Sequence, residues 1–215
     1  MILSATTPEV DGYFGDTVAA GDVNGDGYAD VVVGSYHGNG GGIDSGQVFV
    51  FYGTATGLDN TADLTINGEV ADDHFGSALS LAGDVNGDGY TDIIVGAPYK
   101  NSNAGKAYIY YGGASMNNTV DVVFSGAAAK DYLGESVAAA GDVNGDGFDD
   151  VIVGSPRNNQ WSISNPECRA GQAHIYYGGA SMDNTADISF TDYLGIDSDY
   201  LCLDYFGRSG YNGWS

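Results

Sequence analysis

The heptapeptide GDVNGDG occurs three times in the chain, at residues 21–27, 83–89 and 141–147. Each copy is followed by an aromatic residue, by an Asp two positions later, and then by a β-branched run that reads VVVG, IIVG or VIVG. The copies begin at residues 21, 83 and 141, so their spacings are 62 and 58 residues. Similar segments at a nearly constant spacing indicate a repeat architecture, in which each repeat is one supersecondary unit.

Four strands are predicted in each repeat. A strand of small residues precedes each heptapeptide and opens at Phe14-Gly15, Phe75-Gly76 or Leu133-Gly134, and the β-branched run after it forms the second strand. Alternating segments then predict a third strand within residues 46–53, 105–113 and 171–179, and a fourth within residues 63–68, 121–126 and 187–191. Four strands per unit, with no helical pattern between them, predict an all-β fold of β-propeller blades, each made of four antiparallel strands.

The repeats predict three full blades with partial strands on either side. Residues 1–12 correspond to the outer strand of a preceding blade and a linker, 13–68 to blade 1, 69–126 to blade 2, 127–191 to blade 3, and 192–215 to a linker and the start of an incomplete fourth blade. Propellers close with about four to eight blades. We therefore expect that the chain is part of a longer propeller or is completed by other copies of itself, and the sequence leaves both alternatives open.

The loop after the first strand has the pattern D-x-N-x-D-G-x-x-D, which places oxygen side chains at alternating positions. Carboxylate and carbonyl oxygens without His or Cys suit Ca²⁺, which accepts six to eight such ligands. We expect about three Ca²⁺ per chain, one in each loop. The predicted ligands are Asp22, Asn24, Asp26, the Tyr28 carbonyl and Asp30; Asp84, Asn86, Asp88, the Tyr90 carbonyl and Asp92; and Asp142, Asn144, Asp146, the Phe148 carbonyl and Asp150.

An EF-hand is excluded by the residues that follow each loop. Position 12 of an EF-hand loop is a bidentate Glu before a helix, whereas here it is Val33, Val95 or Val153 inside a β-branched run. The alternative to a metal site is an Asx-rich turn whose carboxylates face water. The occurrence of three nearly identical copies at blade spacing favours the metal site. A bound cation would also offset the repulsion between the crowded carboxylates of each loop.

The order of these segments resembles the FG-GAP repeat, which builds the propeller of integrin alpha chains. The resemblance covers residues of about 13 to 191 and includes Gly-Ala-Pro at 96–98 and Gly-Ser-Pro at 154–156. Two copies depart from the pattern, with Leu133 in place of Phe and Gly34-Ser35-Tyr36 in place of Gly-Ala-Pro. The resemblance implies that the calcium loops lie on one face of the disc and that the opposite face meets ligands. It also implies a calcium-binding adhesion or binding module located outside the cell or at its surface.

The third blade carries the residues that we expect to meet a partner. Arg157, Trp161 and Arg169 lie in or beside a long loop, and aromatic and Arg side chains on loops are typical of interface hot spots. Cys168 in this loop and Cys202 in the next linker are a possible disulfide pair. The alternative is that the bulky residues pack the two segments together around that disulfide.

Composition restricts the classes of partner. The chain has 29 acidic and 6 basic side chains, which give a formal charge of −23. Such a chain is repelled by phosphate backbones and anionic lipid, so neither nucleic acid nor a membrane surface is expected as a partner. No run of about 18 apolar residues occurs, so we expect no membrane insertion. The opening MILSATTPEV does not have the pattern of a signal peptide.

No catalytic pattern stands out, and we predict that the chain is not an enzyme. The three histidines are His37, His74 and His174, and no G-x-S-x-G or H-E-x-x-H segment is present. The acidic residues are too numerous for a catalytic pair to be singled out. Three interpretations remain: a binding module for a protein or glycan ligand, a structural subunit that assembles into a ring or filament through its end blades, and an accessory domain of a larger secreted enzyme.

Overall fold

The computed structural model describes residues 12–157 and 171–191. Within these residues the chain forms strands β1–β12 and one short helical turn, α1. Blade 1 contains β1 (Val18–Gly21), β2 (Asp30–Ser35), β3 (Gln47–Phe51) and β4 (Leu64–Asn67). Blade 2 contains β5 (Ala78–Gly83), β6 (Asp92–Ala97), α1 (Lys100–Asn103), β7 (Lys106–Tyr110) and β8 (Val122–Ser125). Blade 3 contains β9 (Ser136–Gly141), β10 (Asp150–Ser155), β11 (Gln172–Tyr176) and β12 (Ile188–Thr191).

Each blade is a four-stranded sheet in which neighbours in sequence are neighbours in space. The strand orders are β1-β2-β3-β4, β5-β6-β7-β8 and β9-β10-β11-β12, and every pairing is antiparallel. The predicted all-β fold with three four-stranded blades is confirmed. The three sheets do not close into a ring. Trp161, Cys168, Arg169 and Cys202 lie outside the described residues, as do the flanking segments 1–11 and 192–215.

The segment labelled α1 is a left-handed turn between β6 and β7. Asn101 and Ser102 have φ angles of 54° and 59°, so the backbone does not follow an α-helix. Asn103, with φ 67°, continues the same conformation. This conformation agrees with the absence of a helical pattern from this part of the sequence.

The hydrophobic core lies between the blades: the central strands of blades 1 and 2 are almost entirely buried, whereas β10 and β11 of blade 3 are buried only in part. Val32, Val48 and Val50 of blade 1 pack with Ile93 and Tyr108 of blade 2. The opposite face of blade 2 packs on blade 3, where Ile94, Ile109 and Phe124 meet Val151 and Tyr176. Adjacent residues of β6 thus face different blades, which is why its sequence is continuously apolar.

Glycines allow the blades to approach closely at the end that carries the heptapeptides. The ring of Tyr90 lies where Gly25 would have a Cβ atom, and the ring of Phe148 occupies the same place beside Gly87. Both glycines have a positive φ, 75° and 78°, which other residues adopt at a cost. The heptapeptide loops of blades 1 and 2 are therefore packed against the next blade through a glycine.

The alternation of strand direction decides which connections share an end of the sheets. In each blade the heptapeptide begins at the last residue of the first strand and forms the loop to the second strand. The connection from the third to the fourth strand lies at the same end of the sheet. The loops from β2 to β3 and from β6 to β7, and the linkers between blades, lie at the opposite end. These positions agree with those implied by the resemblance.

Candidate functional site

The first Asp of each heptapeptide organises the loop around its own carboxylate. Asp22 Oδ1 accepts hydrogen bonds from the backbone N–H groups of Gly25 and Asp26, at 2.7 and 3.1 Å, and its Oδ2 accepts one from Gly27 at 2.8 Å. Asp84 and Asp142 make the same three bonds in their loops. The turn is therefore built by the side chain that opens it.

The third and fifth positions continue this pattern on the exposed side of the loop. Asn24 Oδ1 accepts a hydrogen bond from Asp26 N at 2.9 Å, and Asp26 Oδ1 accepts one from Tyr28 N at 2.9 Å. The amide of the Asn donates to the carboxylate of the Asp in all three loops, at 3.3, 2.9 and 2.8 Å. The oxygen side chains of these positions are consequently adjacent to one another in every copy.

The ninth-position carboxylates are buried and join each loop to the end of the third strand. Asp30 accepts hydrogen bonds from Val23 N and Gly53 N, both at 2.8 Å. Asp92 and Asp150 accept the equivalent bonds, and all three residues have no exposed surface. Burial raises the pKa of Asp92 to about 7, and the two backbone N–H donors offset only part of that effect. Burial also raises the pKa of Asp30.

The donor chemistry of these loops fits Ca²⁺, because every polar side chain at the alternating positions offers oxygen. The predicted side chains at the first, third and fifth positions lie on the outer side of each loop, whereas the buried carboxylate at the ninth position is directed into the blade. Over residues 12–157 and 171–191, no group of three or more His, Cys, Asp or Glu side chains is arranged around one metal position. The buried carboxylate of each loop is bonded to backbone N–H groups.

A row of aromatic rings crosses the opposite end of the blades. Neighbouring ring centroids lie between 4.4 and 5.5 Å apart, in the order Tyr13, Tyr36, His37, His74, Tyr99 and Tyr132. The guanidinium of Arg157, the one predicted partner-binding residue among the described residues, lies 4.5 Å from the Tyr132 ring centroid. Arg157 is therefore engaged within its own chain.

His74 precedes Phe75, at the position that Tyr13 and Tyr132 occupy in the other blades, and its ring is part of the aromatic row. It has φ 52°, as Tyr13 does, and Tyr132 has φ 56°. Its ring lies 4.9 Å from that of His37, whose Nδ1 is 2.8 Å from Asp44 Oδ1. Burial and the neighbouring His37 lower the pKa of His74, against the opposing effect of Asp44, Asp72 and Asp73.

Lys100 forms a buried ion-pair cluster that the sequence pattern did not predict. Its Nζ lies 2.5 Å from Asp73 Oδ2 and 3.0 Å from Glu69 Oε2, and the Lys100 and Asp73 side chains are almost fully buried. Burial lowers the pKa of Lys100, but the hydrogen bonds and charges of the two carboxylates outweigh it, so the pKa is raised. Asp73 precedes the aromatic position of blade 2, and Asp131 has the same place in blade 3. The recurrence of an Asp at this position is the sequence signal that could have indicated a structural role for Asp73.

The remaining histidine, His174, lies in β11 and pairs across the sheet with Ser189 of β12. Its Nδ1 is 2.9 Å from Ser189 Oγ. Burial lowers the pKa of His174. The contact joins two adjacent strands of blade 3.

Among the helices of the described residues, none is long and apolar enough to cross a membrane.

Comparison with known proteins places these features in a family. The family model of the FG-GAP repeat matches residues 14–51, 75–110 and 133–176. The chain is 33% identical to integrin alpha-3 of Cricetulus griseus over 144 residues, which are 63% of this chain and 12% of that protein. It is 34% identical to integrin alpha-2 of Bos taurus over 125 residues (54% and 9%) and 42% identical to integrin alpha-6 of Homo sapiens over 93 residues (43% and 8%).

The chain thus spans about a tenth of the length of these curated relatives. The matched segments each begin at the aromatic or Leu residue that opens a blade and end in its third strand. Each contains one complete Asp-rich loop. The chain belongs to the FG-GAP repeat family.

Proposed function

We propose that this chain is a calcium-stabilised binding or adhesion module that acts outside the cell or at its surface and has no catalytic activity of its own. Membership of the FG-GAP family and similarity to integrin alpha chains support a propeller-type binding module. The observation that carries the proposal is the threefold recurrence of one loop, with the same oxygen side chains and the same internal hydrogen bonds.

The ligands of each calcium ion would be the side chains at positions 1, 3, 5 and 9 and the carbonyl at position 7. In the second loop these are Asp84, Asn86, Asp88, Asp92 and the carbonyl of Tyr90. The ion supplies positive charge among three neighbouring carboxylates, which would otherwise repel one another. The loops of blades 1 and 2 also receive a hydrogen bond from the next blade, Gly113 N to Val23 O at 2.8 Å and Gly179 N to Val85 O at 2.7 Å. Ordering a loop would therefore also stabilise a blade junction.

The test of calcium binding is the melting temperature with Ca²⁺ and with EGTA. A ligand that binds only the folded state raises its stability by about 2.7 kcal/mol at a hundredfold excess over Kd, so Ca²⁺ should raise the melting temperature. Asp26→Ala, Asp88→Ala and Asp146→Ala should each lose about one bound calcium per chain and reduce that rise. Asp59→Ala is the control, because Asp59 is an exposed acid at the same end of the blades but outside the loops. Melting curves that respond neither to EGTA nor to these substitutions would contradict the proposal.

The face opposite the calcium loops is the proposed binding surface, for a protein or a glycan. It carries the aromatic row and the linkers between blades, and both are held by contacts between blades. If the chain acts instead as an accessory domain of a secreted enzyme, this face would bind the substrate of that enzyme. Protein and glycan arrays probed in Ca²⁺ buffer would identify the class of ligand.

Self-assembly is a second candidate function, favoured by apolar residues on the far side of blade 3. Val143 is 50% exposed, whereas Val23 and Val85 at the same loop position are fully buried. Phe190 is 53% exposed, whereas Phe124 at the same place in blade 2 is fully buried. Light scattering after size exclusion in Ca²⁺ measures the molar mass. A dimer or larger assembly would support this function, and a species of 22.2 kDa at all concentrations would contradict it.

A further inference from the structure

A cavity of about 530 Å³ opens beside blade 2 at the end opposite the Asp-rich loops. One wall is the linker from β4 to β5 and the other is the turn α1, and we call the space between them the linker cavity. It is lined by residues 70–74 and 99–103. Its volume accommodates a ligand of one or two six-membered rings, at the lower end of the range of small-molecule sites.

The walls of the linker cavity are held in an unusual backbone conformation. Asn101, Ser102 and Asn103 have φ angles of 54°, 59° and 67°, and Asp72 and His74 in the opposite wall have 63° and 52°. Residues other than glycine adopt this left-handed region at a cost of about 1–2 kcal/mol each. The conformation of Asp72 and His74 recurs at Lys130 and Tyr132 in the linker to blade 3, so in that wall it belongs to the repeat, and the turn Asn101–Asn103 supplies the other wall.

Contacts on both sides keep these walls in place. Asn103 Nδ2 donates to the Tyr132 hydroxyl at 3.2 Å, and Tyr132 N donates to the Asn103 carbonyl at 2.9 Å. In the linker, Asp72 N donates to the Ile43 carbonyl at 2.9 Å. The cavity is therefore formed before a ligand arrives, which lowers the entropic cost of binding.

Lys100 is part of the lining of the cavity, and its ion pair with Asp73 joins the two walls. Its ammonium is paired with Asp73 and Glu69 of the linker, and Asp73 Oδ2 also accepts a hydrogen bond from Val70 N at 3.0 Å. One cation is thus matched by two carboxylates, and Asp72 adds a third acid to the lining. The excess of negative charge disfavours phosphate, sulfate and carboxylate ligands.

The accessible side chains of the cavity are one aromatic ring and several neutral polar groups. Tyr99 is 44% exposed, and its ring is positioned by His74 at 4.5 Å and Tyr132 at 5.5 Å between centroids. Asn101 and Ser102 are exposed beside it and supply amide and hydroxyl groups. A pyranose has an apolar C–H face that packs on an aromatic ring and a rim of hydroxyl groups that bond to amides and carboxylates.

We propose that the linker cavity binds a neutral pyranose unit of a glycan, with its C–H face on Tyr99 and its hydroxyl groups on Asn101, Ser102 and Asp72. The inference rests on the proposed binding function of this face and specifies its ligand class. A uronic acid, which is the same ring with a carboxylate, binds more weakly than its neutral counterpart because of the acidic lining.

The experiment is a titration of the full chain in Ca²⁺ buffer, followed by saturation-transfer NMR. The probes are the methyl glycosides of glucose, galactose, mannose and N-acetylglucosamine, together with methyl glucuronide. We expect saturable binding of at least one neutral glycoside, and binding of methyl glucuronide at least threefold weaker than that of methyl glucoside. Absence of binding by all neutral glycosides would overturn the proposal.

Two variants test the site itself. Tyr99→Ala should weaken binding at least tenfold, whereas Tyr13→Ala, which removes another exposed ring of the aromatic row outside the cavity, should leave it within twofold. Asn101→Gly keeps the left-handed backbone and removes the amide, so it should weaken binding without lowering the melting temperature. Equal affinity of Tyr99→Ala and the unchanged chain would refute the site.

The calcium-dependent melting shift separates this inference from the proposed function. A chain that gains stability from Ca²⁺ but binds no neutral glycoside would refute the glycan site alone. A chain that shows neither effect would contradict the calcium-stabilised module as well.

Discussion

Single carboxylates perform two different tasks in the Asp-rich loops. Asp22 bonds to three N–H groups of its own turn, while Asp30 bonds to Val23 and to Gly53, which lies 23 residues further along the chain. The spacing of the loop predicts both residues as calcium ligands. The hydrogen bond from Gly53 N to Asp30 depends on where β3 ends, and the pairing of the strands in the sheet sets that position.

His74 gives the protein a pH dependence with a definite sign. Because burial lowers its pKa in the folded state, the unfolded chain binds the proton more readily below the ordinary value of 6.5. The free energy of unfolding therefore does not depend on His74 well above pH 6.5, and it decreases as the pH falls below 6.5, because only the unfolded chain then takes up the proton. His174 contributes in the same direction.

His74→Tyr should therefore reduce the loss of stability between pH 7.5 and pH 5.5. The variant places at position 74 the residue that Tyr13 and Tyr132 supply at the same left-handed position in the other blades. Denaturant unfolding of both proteins at the two pH values measures the effect. His174→Phe is the comparison that shows how much of the pH dependence belongs to the other half-buried histidine. An unchanged pH dependence in His74→Tyr would contradict this assignment.

At the scale of the elements, the junction between blades depends on a glycine in one loop and an aromatic ring in the next. Gly87 lies against the ring of Phe148, and Gly145, at the same loop position in blade 3, has no described atom within 4 Å of where a Cβ would lie. The two glycines have nearly equal φ angles, 78° and 79°. The two glycines therefore have the same backbone conformation, and only Gly87 contacts a ring of the next blade.

Gly87→Ala should consequently cost more stability than Gly145→Ala. Both variants carry the strain of Ala at a positive φ, about 1–2 kcal/mol, but only the first forces a methyl group into the Phe148 ring. We expect the difference between them to be about 1–3 kcal/mol, the usual cost of overpacking. Urea denaturation in Ca²⁺ measures both. Equal losses would show that the close approach of loop and ring does not stabilise the junction.

The element boundaries were predictable because the pattern of each blade is local. The continuous apolar runs of β2 and β6 follow from burial on two faces, whereas β11 of blade 3, which is only partly buried, carries the polar residues Gln172 and His174. The left-handed turn Asn101–Asn103 was not predicted. Its conformation is imposed by contacts with Tyr132 and the linker, and no glycine marks the three positions.

At the scale of the whole molecule, the blades differ in what covers them. Phe124 packs in the core between blades 2 and 3, whereas Phe190, at the same position of its own fourth strand, is 53% exposed. Repeats of this kind derive stability from contacts with neighbours as well as from their own sheet. The same residue type should therefore contribute differently in the two blades.

Phe124→Ala should destabilise the protein by about 3–5 kcal/mol, as expected for an aromatic ring removed from a core. Phe190→Ala should cost about 0.5 kcal/mol or less in a monomer, because the ring loses little buried area. Equilibrium denaturation at low protein concentration compares the two. If both substitutions cost the same, the exposed face of blade 3 is covered in solution.

The repeat in the sequence determined the three blades, their strand order and the residues of the Asp-rich loops, because these features depend on spacings of a few residues within one hairpin. Only the tertiary structure decided that Lys100 pairs with Asp73, 27 residues away, and that Tyr99 and the linker enclose a cavity. Those contacts join the linker between blades 1 and 2 to the turn between β6 and β7 of blade 2. Their geometry depends on how one sheet packs on the next, which no local period encodes.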